Sequence, residues 1–312
     1  MNKYFKQYKW SNIFTMLHNQ KLKPKICNDP FKNRLVVITG ATSGIGLEAA
    51  KKYAAQGAAI LTINRSETKS KALCQMLKND YGIKCSYFIA DFSCLTDIHK
   101  VAKKLATLDQ KIDVLIHNAG VYLTKKKITA DNLEEIFEIN YLSSFIINYY
   151  LKDKFIMQNS GRIIFVNSEA HRFAAWGLHL NDLKWEKRKY SGLKSYGAAK
   201  LAQLLSIIKF NEYFAGTGVT INAMHPGNVK TNSGQENGKL YKIYKKIIID
   251  RRAKSMTNAV EALYYLGVSK NLKKESGQFF NLTTKEEPAP PALDHEVAEA
   301  LWQLSIELGG LK

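Results

Sequence analysis

Along residues 33–230, short aliphatic and β-branched runs alternate with longer stretches whose apolar positions recur every three or four residues. Leu35–Thr39 is apolar nearly throughout, the pattern of a strand buried on both faces. Beyond it, Leu47, Ala50, Tyr53 and Ala54 share one helical face. The alternation continues, with strands predicted at Ala58–Ile63, Lys84–Ala90, Ile112–Ile116, Arg162–Val166 and Val219–Ala223. Helices are predicted from about Ser66 to Tyr81, Ser93 to Leu105 and Leu133 to Leu151, and from Ser195 through Leu201, Leu204, Leu205 and Ile208. Strand–helix repetition predicts an α/β fold: one doubly wound parallel sheet covered by helices on both faces. A chain of 312 residues is long enough to bury such a core.

The two ends follow other patterns. Trp10, Ile13, Phe14 and Leu17 make a helical stripe, which Pro24 and Asn28-Asp29-Pro30 interrupt. Residues 1–32 therefore read as an appendage, either packed on the body or lying on a membrane surface or a partner. Residues 286–312 read as an ordered C-terminal extension, because Leu301, Trp302, Leu304 and Leu308 keep apolar spacing. Between 239 and 254 the residues Leu240, Ile243, Tyr244, Ile247 and Ile248 predict an amphipathic helix.

The charge is unusual, +19 at neutral pH. It is densest in residues 1–32, with seven Lys against Asp29, and in 239–254, with seven Lys or Arg against Asp250. Such a balance suits nucleic acid, an anionic membrane or an anionic ligand. No nucleic-acid module is recognisable, so nucleic acid is not expected as a partner. Cys27, Cys74, Cys85 and Cys94 form no C-x-x-C pair and no zinc spacing, and they read as reduced structural thiols. No apolar run is long enough to span a bilayer, and the basic N-terminus lacks the apolar core of a signal peptide. The expectation is a cytoplasmic protein without metal, with peripheral membrane contact open.

Chemistry enters where strands end. Leu35–Thr39 runs into Gly40-Ala41-Thr42-Ser43-Gly44-Ile45-Gly46 and then into a helix. In that context glycines let the backbone approach a pyrophosphate, and the helix N-terminus supplies free N–H groups. The second strand closes at Asn64-Arg65, about twenty residues on. An acid there would bind the ribose hydroxyl of NAD, whereas an Arg accommodates the 2′-phosphate of NADP, so NADP is favoured over NAD. Asp91, past the third strand, lies where such sheets bind ligands and can also cap the next helix. Asn140, mid-helix, suggests a kink, a buried hydrogen bond or a site role. Tyr196 and Lys200 share a helix face, and an ammonium beside a phenol lowers its pKa toward the working range.

Together these motifs resemble the short-chain dehydrogenase/reductase family, whose elements stand here in order over residues 33–285. They are Thr39-Gly40-x-x-x-Gly44-Ile45-Gly46, Asn118-Ala119-Gly120, Asn140, Ser168, Tyr196-x-x-x-Lys200 and Pro226-Gly227. Asn64-Arg65, Ser168-Glu169-Ala170-His171, the long gap from Ser168 to Tyr196, His225-Pro226-Gly227 and the tail at Gly277–Phe280, Pro288–Pro291 and Ala300-Leu301-Trp302 resemble its retinol-dehydrogenase-like branch. The resemblance implies a Rossmann fold and an NADP-dependent exchange of hydroxyl and carbonyl on a lipophilic small molecule. Tyr196 would be acid and base, Lys200 would lower its pKa and hold the ribose, Ser168 would bind the substrate oxygen, and Asn140 would support a proton-relaying water chain. Gly40, Ser43, Gly44, Ile45 and Gly46 would cradle the pyrophosphate, with Arg65, Asp91 and Phe92 at the adenosine end. Asn118, Ala119 and Gly120 would flank the cofactor, and Pro226, Gly227, Val229 and Thr231 would face the nicotinamide.

The resemblance also places a variable substrate-cover segment at about 232–256, where the amphipathic stripe falls, as a cleft cover or a membrane contact. It makes a homo-oligomer common, although extensions at both ends could block the usual surfaces. The insertion holding Trp176, Trp185 and Tyr190 is expected to pack, with Trp176 alternatively lining the cleft; His171 is expected to be structural. The competing reading is a catalytically silent dinucleotide scaffold or sensor. It would predict loss of Tyr196, Lys200 or Ser168, and all three are present.

Overall fold

The computed structural model of the chain describes residues 2–227, 229 and 256–311, with the side chain of Ile13 left aside. Eight strands form one sheet in the order β3-β2-β1-β4-β5-β6-β7-β8. They are β1 (Leu35–Thr39), β2 (Ala59–Asn64), β3 (Cys85–Ile89), β4 (Val114–His117), β5 (Gly161–Val166), β6 (Val219–His225), β7 (Phe279–Asn281) and β8 (Thr284–Lys285). All pairings are parallel except the edge pair β7–β8. The expected doubly wound sheet is present, and the last two strands extend it with an antiparallel edge that the short Gly277–Phe280 motif did not predict. Strand order reverses between β1 and β4, and in such sheets the crevice beyond the carboxyl ends at that point receives ligands.

Two apolar cores sandwich the sheet. One side holds α2 (Gly44–Ala55), α3 (Glu67–Tyr81) and, further on, α8 (Met256–Val268). The other holds α4 (Leu95–Ala106), α6 (Ser143–Gln158), α7 (Gly192–Tyr213) and the C-terminal α9 (His295–Leu308). β1 and β6 are buried along their whole length; this explains the apolar run of β1, while β6 carries Thr220, Asn222 and His225 buried among its apolar residues.

The stretch read as one helix from Leu133 to Leu151 is not one α-helix. A single α-turn, α5 (Glu135–Phe137), passes into a π-turn at Glu138–Leu142, and the α-helix resumes as α6. Asn140 sits in that π-turn, so the mid-helix Asn does mark a distortion.

The N-terminal stripe forms α1 (Trp10–Asn19), but its apolar side faces solvent: Trp10 is 77% exposed and Phe14 66%. The appendage is held through other residues. Tyr4 is buried and donates to Asp294, Tyr8 donates to the Ala175 carbonyl, and Asn19 is buried on Glu286. The C-terminal extension is part of the body. Phe145, Tyr149, Phe210 and Tyr213 all face the Trp302 ring, and Tyr141 shares a 2.7 Å hydrogen bond with Ser305. Thr231, the substrate-cover segment up to residue 255 and the basic stretch 239–254 lie outside the described residues.

Candidate active site

The loop leaving β1 is shaped by close approach. Gly40 and Gly44 have φ of +68° and +59°, where a side chain is strained. A Cβ on Gly40 would stand 2.9 Å from Ala119 Cα, and one on Gly46 would stand 2.4 Å from the Gly40 carbonyl oxygen. A Cβ on Gly44 would meet nothing within 4 Å, so it would occupy open space at the start of α2. Three polar side chains fix this loop. Asn118 Nδ2 donates to the Thr39 and Gly40 carbonyls, Thr39 Oγ1 accepts the Asn118 and Ala119 N–H groups, and Asn64 Oδ1 accepts from Ala41 N–H. Ser43 precedes α2 without capping it, and its side chain is exposed. Ile45 is buried beneath. Open space, a positive helix end and an uncommitted hydroxyl together fit a pyrophosphate.

Arg65 is exposed at the end of β2. Its neighbour Asn64 is buried and donates to Thr62 Oγ1 and Ser70 Oγ while holding Ala41. Asp91 Oδ1 accepts from Ser93 N–H and Oγ–H, organising the turn into α4, while Phe92 is buried beside it. The helix-capping role considered for Asp91 is not the one observed: α4 begins after Cys94, whose side chain does not cap it, and Asp91 instead closes the turn through Ser93, just before the helix.

Tyr196 and Lys200 lie one turn apart on α7, with the ammonium 5.6 Å from the phenol ring centre. Lys200 is 3% exposed and donates to the Val166 carbonyl and to Gln203 Oε1. Burial brings its pKa down to about 7, since no carboxylate pairs with it among the described residues. Ser168 follows β5 and opens a 3₁₀ turn, Glu169–Ala174, its Oγ accepting from Ala170 N–H and keeping its proton to donate. That turn is pressed onto α7 at Gly197, where a Cβ would fall 2.5 Å from the Ala170 carbonyl oxygen. A residue larger than glycine beside Tyr196 would therefore push Ser168 away. Tyr122 stands edge-on to the Tyr196 ring at 5.7 Å. Pro226 is buried past β6, Gly227 turns with φ +76° and Val229 packs on the α2-side core.

This arrangement of glycine cradle, phenol, buried ammonium and serine hydroxyl can be set beside known proteins. The family model for short chain dehydrogenases matches residues 34–178. Human retinol dehydrogenase 13 is 32% identical over 286 residues, covering 89% of this chain and 85% of the relative. Human retinol dehydrogenase 12 is 29% identical, covering 91% and 89%. The chain belongs to the short-chain dehydrogenase/reductase family. Within it, the relatives place the chain in the retinol-dehydrogenase-like branch, and it is an oxidoreductase of that family. A crystallised uncharacterized protein from Mycobacterium paratuberculosis shares the fold with a TM-score of 0.69 and 25% identity, covering 91% of this chain and 96% of its own. A short-chain dehydrogenase from Sphingobium yanoikuyae in complex with NADPH aligns with a TM-score of 0.58 and 23% identity over 74% of this chain and 82% of its own.

Both polar atoms of the buried Asn140 side chain are committed to Val121, Oδ1 accepting its N–H and Nδ2 donating to its carbonyl. Its own carbonyl accepts from Gln203 Nε2. The π-turn Asn therefore braces the Ala119–Val121 loop, and a glutamine amide occupies one lone pair of its carbonyl. Trp176 is half-exposed and packs against Phe5 and Tyr8 of the N-terminal segment, the packing expected of the insertion. The rest of the insertion packs as expected. Asp182 accepts from Glu186 N–H, Lys187 N–H and Arg188 Nε, and the Arg188 guanidinium lies over Trp185. His171 is structural: it is buried, with Nδ1 toward the Ser168 carbonyl and Nε2 accepting from Ala289 N–H, and burial lowers its pKa to about 3.

Sequence reading missed Gln203, Asn167 and Glu134. Asn167 takes Ser168 N–H on Oδ1 and donates from Nδ2 to the Lys200 carbonyl and Gln203 Oε1. Glu134, buried, accepts from Phe137 N–H, Ser195 Oγ and Tyr190 OH, tying α5, α7 and the insertion together. Gln203 had a signal, its position one turn beyond Lys200; the other two are brought in only by the fold.

Proposed function

We propose that the protein is an NADP-dependent oxidoreductase that interconverts a hydroxyl and a carbonyl on a lipophilic small molecule, with Tyr196 as acid and base. The observation that carries this reading is the Tyr196 phenol beside a buried Lys200, with the Ser168 hydroxyl brought against the same helix by Gly197. When bound, the cofactor supplies or receives hydride at the substrate carbon. In reduction, Ser168 Oγ–H donates to the carbonyl oxygen as negative charge develops there. Tyr196 then gives its proton to that oxygen, and the Lys200 ammonium stabilises the resulting phenolate. In oxidation the phenolate takes the proton from the hydroxyl. Gly40, Ser43, Gly44, Ile45 and Gly46 would hold the pyrophosphate, Asp91 and Phe92 the adenine, Asn118, Ala119 and Gly120 one cofactor flank, and Pro226, Gly227, Val229 and Thr231 the nicotinamide. Arg65 would receive the 2′-phosphate, and the NADPH complexes among related folds agree with that choice.

Lipophilic substrates are supported by the Tyr122 wall and by Phe173, exposed beside Gly197. The same apolar surface continues outward. Phe173 shares its turn with the segment bearing Trp176, which faces Phe5, and the exposed side of α1 follows. With seven Lys against one Asp in residues 1–32, this surface suits peripheral contact with an anionic bilayer, through which lipophilic substrates would arrive. The deciding experiment is oxidation of NADPH and NADH against a panel of aldehydes and ketones, wild type beside Tyr196→Phe. Turnover with NADPH, reduced at least about 100-fold in Tyr196→Phe with NADPH affinity retained, is expected. Undiminished turnover in Tyr196→Phe would remove Tyr196 from the chemistry, and binding of neither cofactor would end the reading.

A further inference from the structure

Five residues at the site are joined by one polar chain. Ser168 N–H donates to Asn167 Oδ1 at 2.8 Å, Asn167 Nδ2 donates to Gln203 Oε1 at 2.9 Å, and Gln203 Nε2 donates to the Asn140 carbonyl at 2.5 Å. Lys200 Nζ joins this chain at Gln203 Oε1, 3.3 Å away. Gln203 is 1% exposed, so these bonds are made away from bulk water. Its amide has a single orientation that works. Two donors face Oε1, and reversing the amide would set an NH₂ group against both while turning an oxygen on the Asn140 carbonyl.

The π-turn makes the acceptor available. Where the helical ladder loosens, three successive carbonyls take side-chain donors: Ile139 from Ser143 Oγ, Asn140 from Gln203 Nε2 and Tyr141 from Ser144 Oγ. Of the three ammonium donors of Lys200, Val166 and Gln203 take two, and the third is left for the cleft.

We propose that Gln203 is a positioning residue of the acid/base pair: its amide aims the Lys200 ammonium at the cleft and fixes it to the Asn140 carbonyl. The proposal rests on the acid/base reading given above.

The test reads Lys200 directly, by titrating the protein labelled with ¹³Cε-lysine and assigning the Lys200 resonance by its loss in Lys200→Arg. Gln203→Leu removes the acceptor, so the ammonium loses its proton at lower pH than in wild type. Gln203→Glu sets a carboxylate beside it, so the midpoint moves up, by about 1 pH unit or more. Opposite movements are expected only if Gln203 Oε1 acts on the ammonium; a role confined to packing moves neither. In turnover, Gln203→Leu lowers kcat by about 10- to 100-fold, as loss of a supporting hydrogen bond does, and raises the apparent pKa of the oxidation reaction. Midpoints unchanged in both folded variants would overturn the proposal. Should Gln203→Leu not fold, the upward movement in Gln203→Glu decides alone. Because the titration needs neither cofactor nor substrate, it stands even if Tyr196→Phe keeps full activity, a result that would remove the acid/base reading instead.

Discussion

Arg65 is exposed at the end of β2 because the residue before it is turned inward to hold the glycine loop through Ala41 N–H. Asn64 thus stands where an acid would select NAD, and in the proposed reading the Arg65 guanidinium would face the ribose. Replacing Arg65 with Leu is expected to raise the KM for NADPH by about 10- to 100-fold, the worth of a charged hydrogen bond, and to leave that for NADH within about twofold. Steady-state kinetics with both cofactors checks this, and an equal effect on the two would take Arg65 out of cofactor choice. At the same scale, Tyr196, Lys200 and the glycines were legible because each needs a particular residue type at a particular spacing. Asn140 was legible as a position but not as a role, since only the fold brings Val121 and Gln203 to its polar atoms.

Among the elements, the π-turn before α6 carries a buried acid beside the site. Glu138 is fully buried with neither carboxylate oxygen holding a hydrogen bond of good geometry, and Thr129 and the Asp131 carboxylate stand near it. Burial raises its pKa to about 7. An acid raised in the folded state favours folding while it is protonated. Its contribution is fully present below the unfolded value near 4.5 and is lost as pH rises through about 7. Glu138→Gln is therefore expected to be more stable than wild type at pH 8, by on the order of 1–3 kcal/mol, with the gain gone at pH 4.5. Thermal unfolding across that range checks it, and a gain independent of pH would refute the assignment. Helical periodicity predicted an element here because apolar spacing survives a π-turn. It did not reveal the turn itself, since every residue from Ile136 to Asn148 is buried and a shift of register leaves no apolar side chain in water.

For the whole molecule, what stands out is which surfaces the two ends cover. α9 lays Trp302 across the aromatic side chains of α6 and α7, while the N-terminal segment runs past Ala175 and Asp294 and leaves the apolar side of α1 outward. None of the described helices is long and apolar enough to cross a membrane. If that side of α1 meets a bilayer, the protein is expected to co-sediment with vesicles containing phosphatidylserine, less so at high salt, and weakly with phosphatidylcholine alone. Trp10→Glu with Phe14→Glu is expected to abolish co-sedimentation while NADPH oxidation on a water-soluble aldehyde stays unchanged. Binding that survives the double change would place any membrane contact elsewhere.

The sequence by itself determined the parallel sheet, the alternation of strands and helices along the chain, and which residues are candidates for the chemistry, because periodicity and motif spacing are local properties that burial and chemistry impose on neighbouring residues. The tertiary structure decided which polar groups satisfy one another. Asn167, Gln203 and Glu134 each take partners from distant elements, and a buried amide or carboxylate has a defined role only once those partners are in place. It also decided which face of α1 is covered. An apolar stripe says that a side wants to leave water, whereas what it leaves water for depends on surfaces the stripe does not encode.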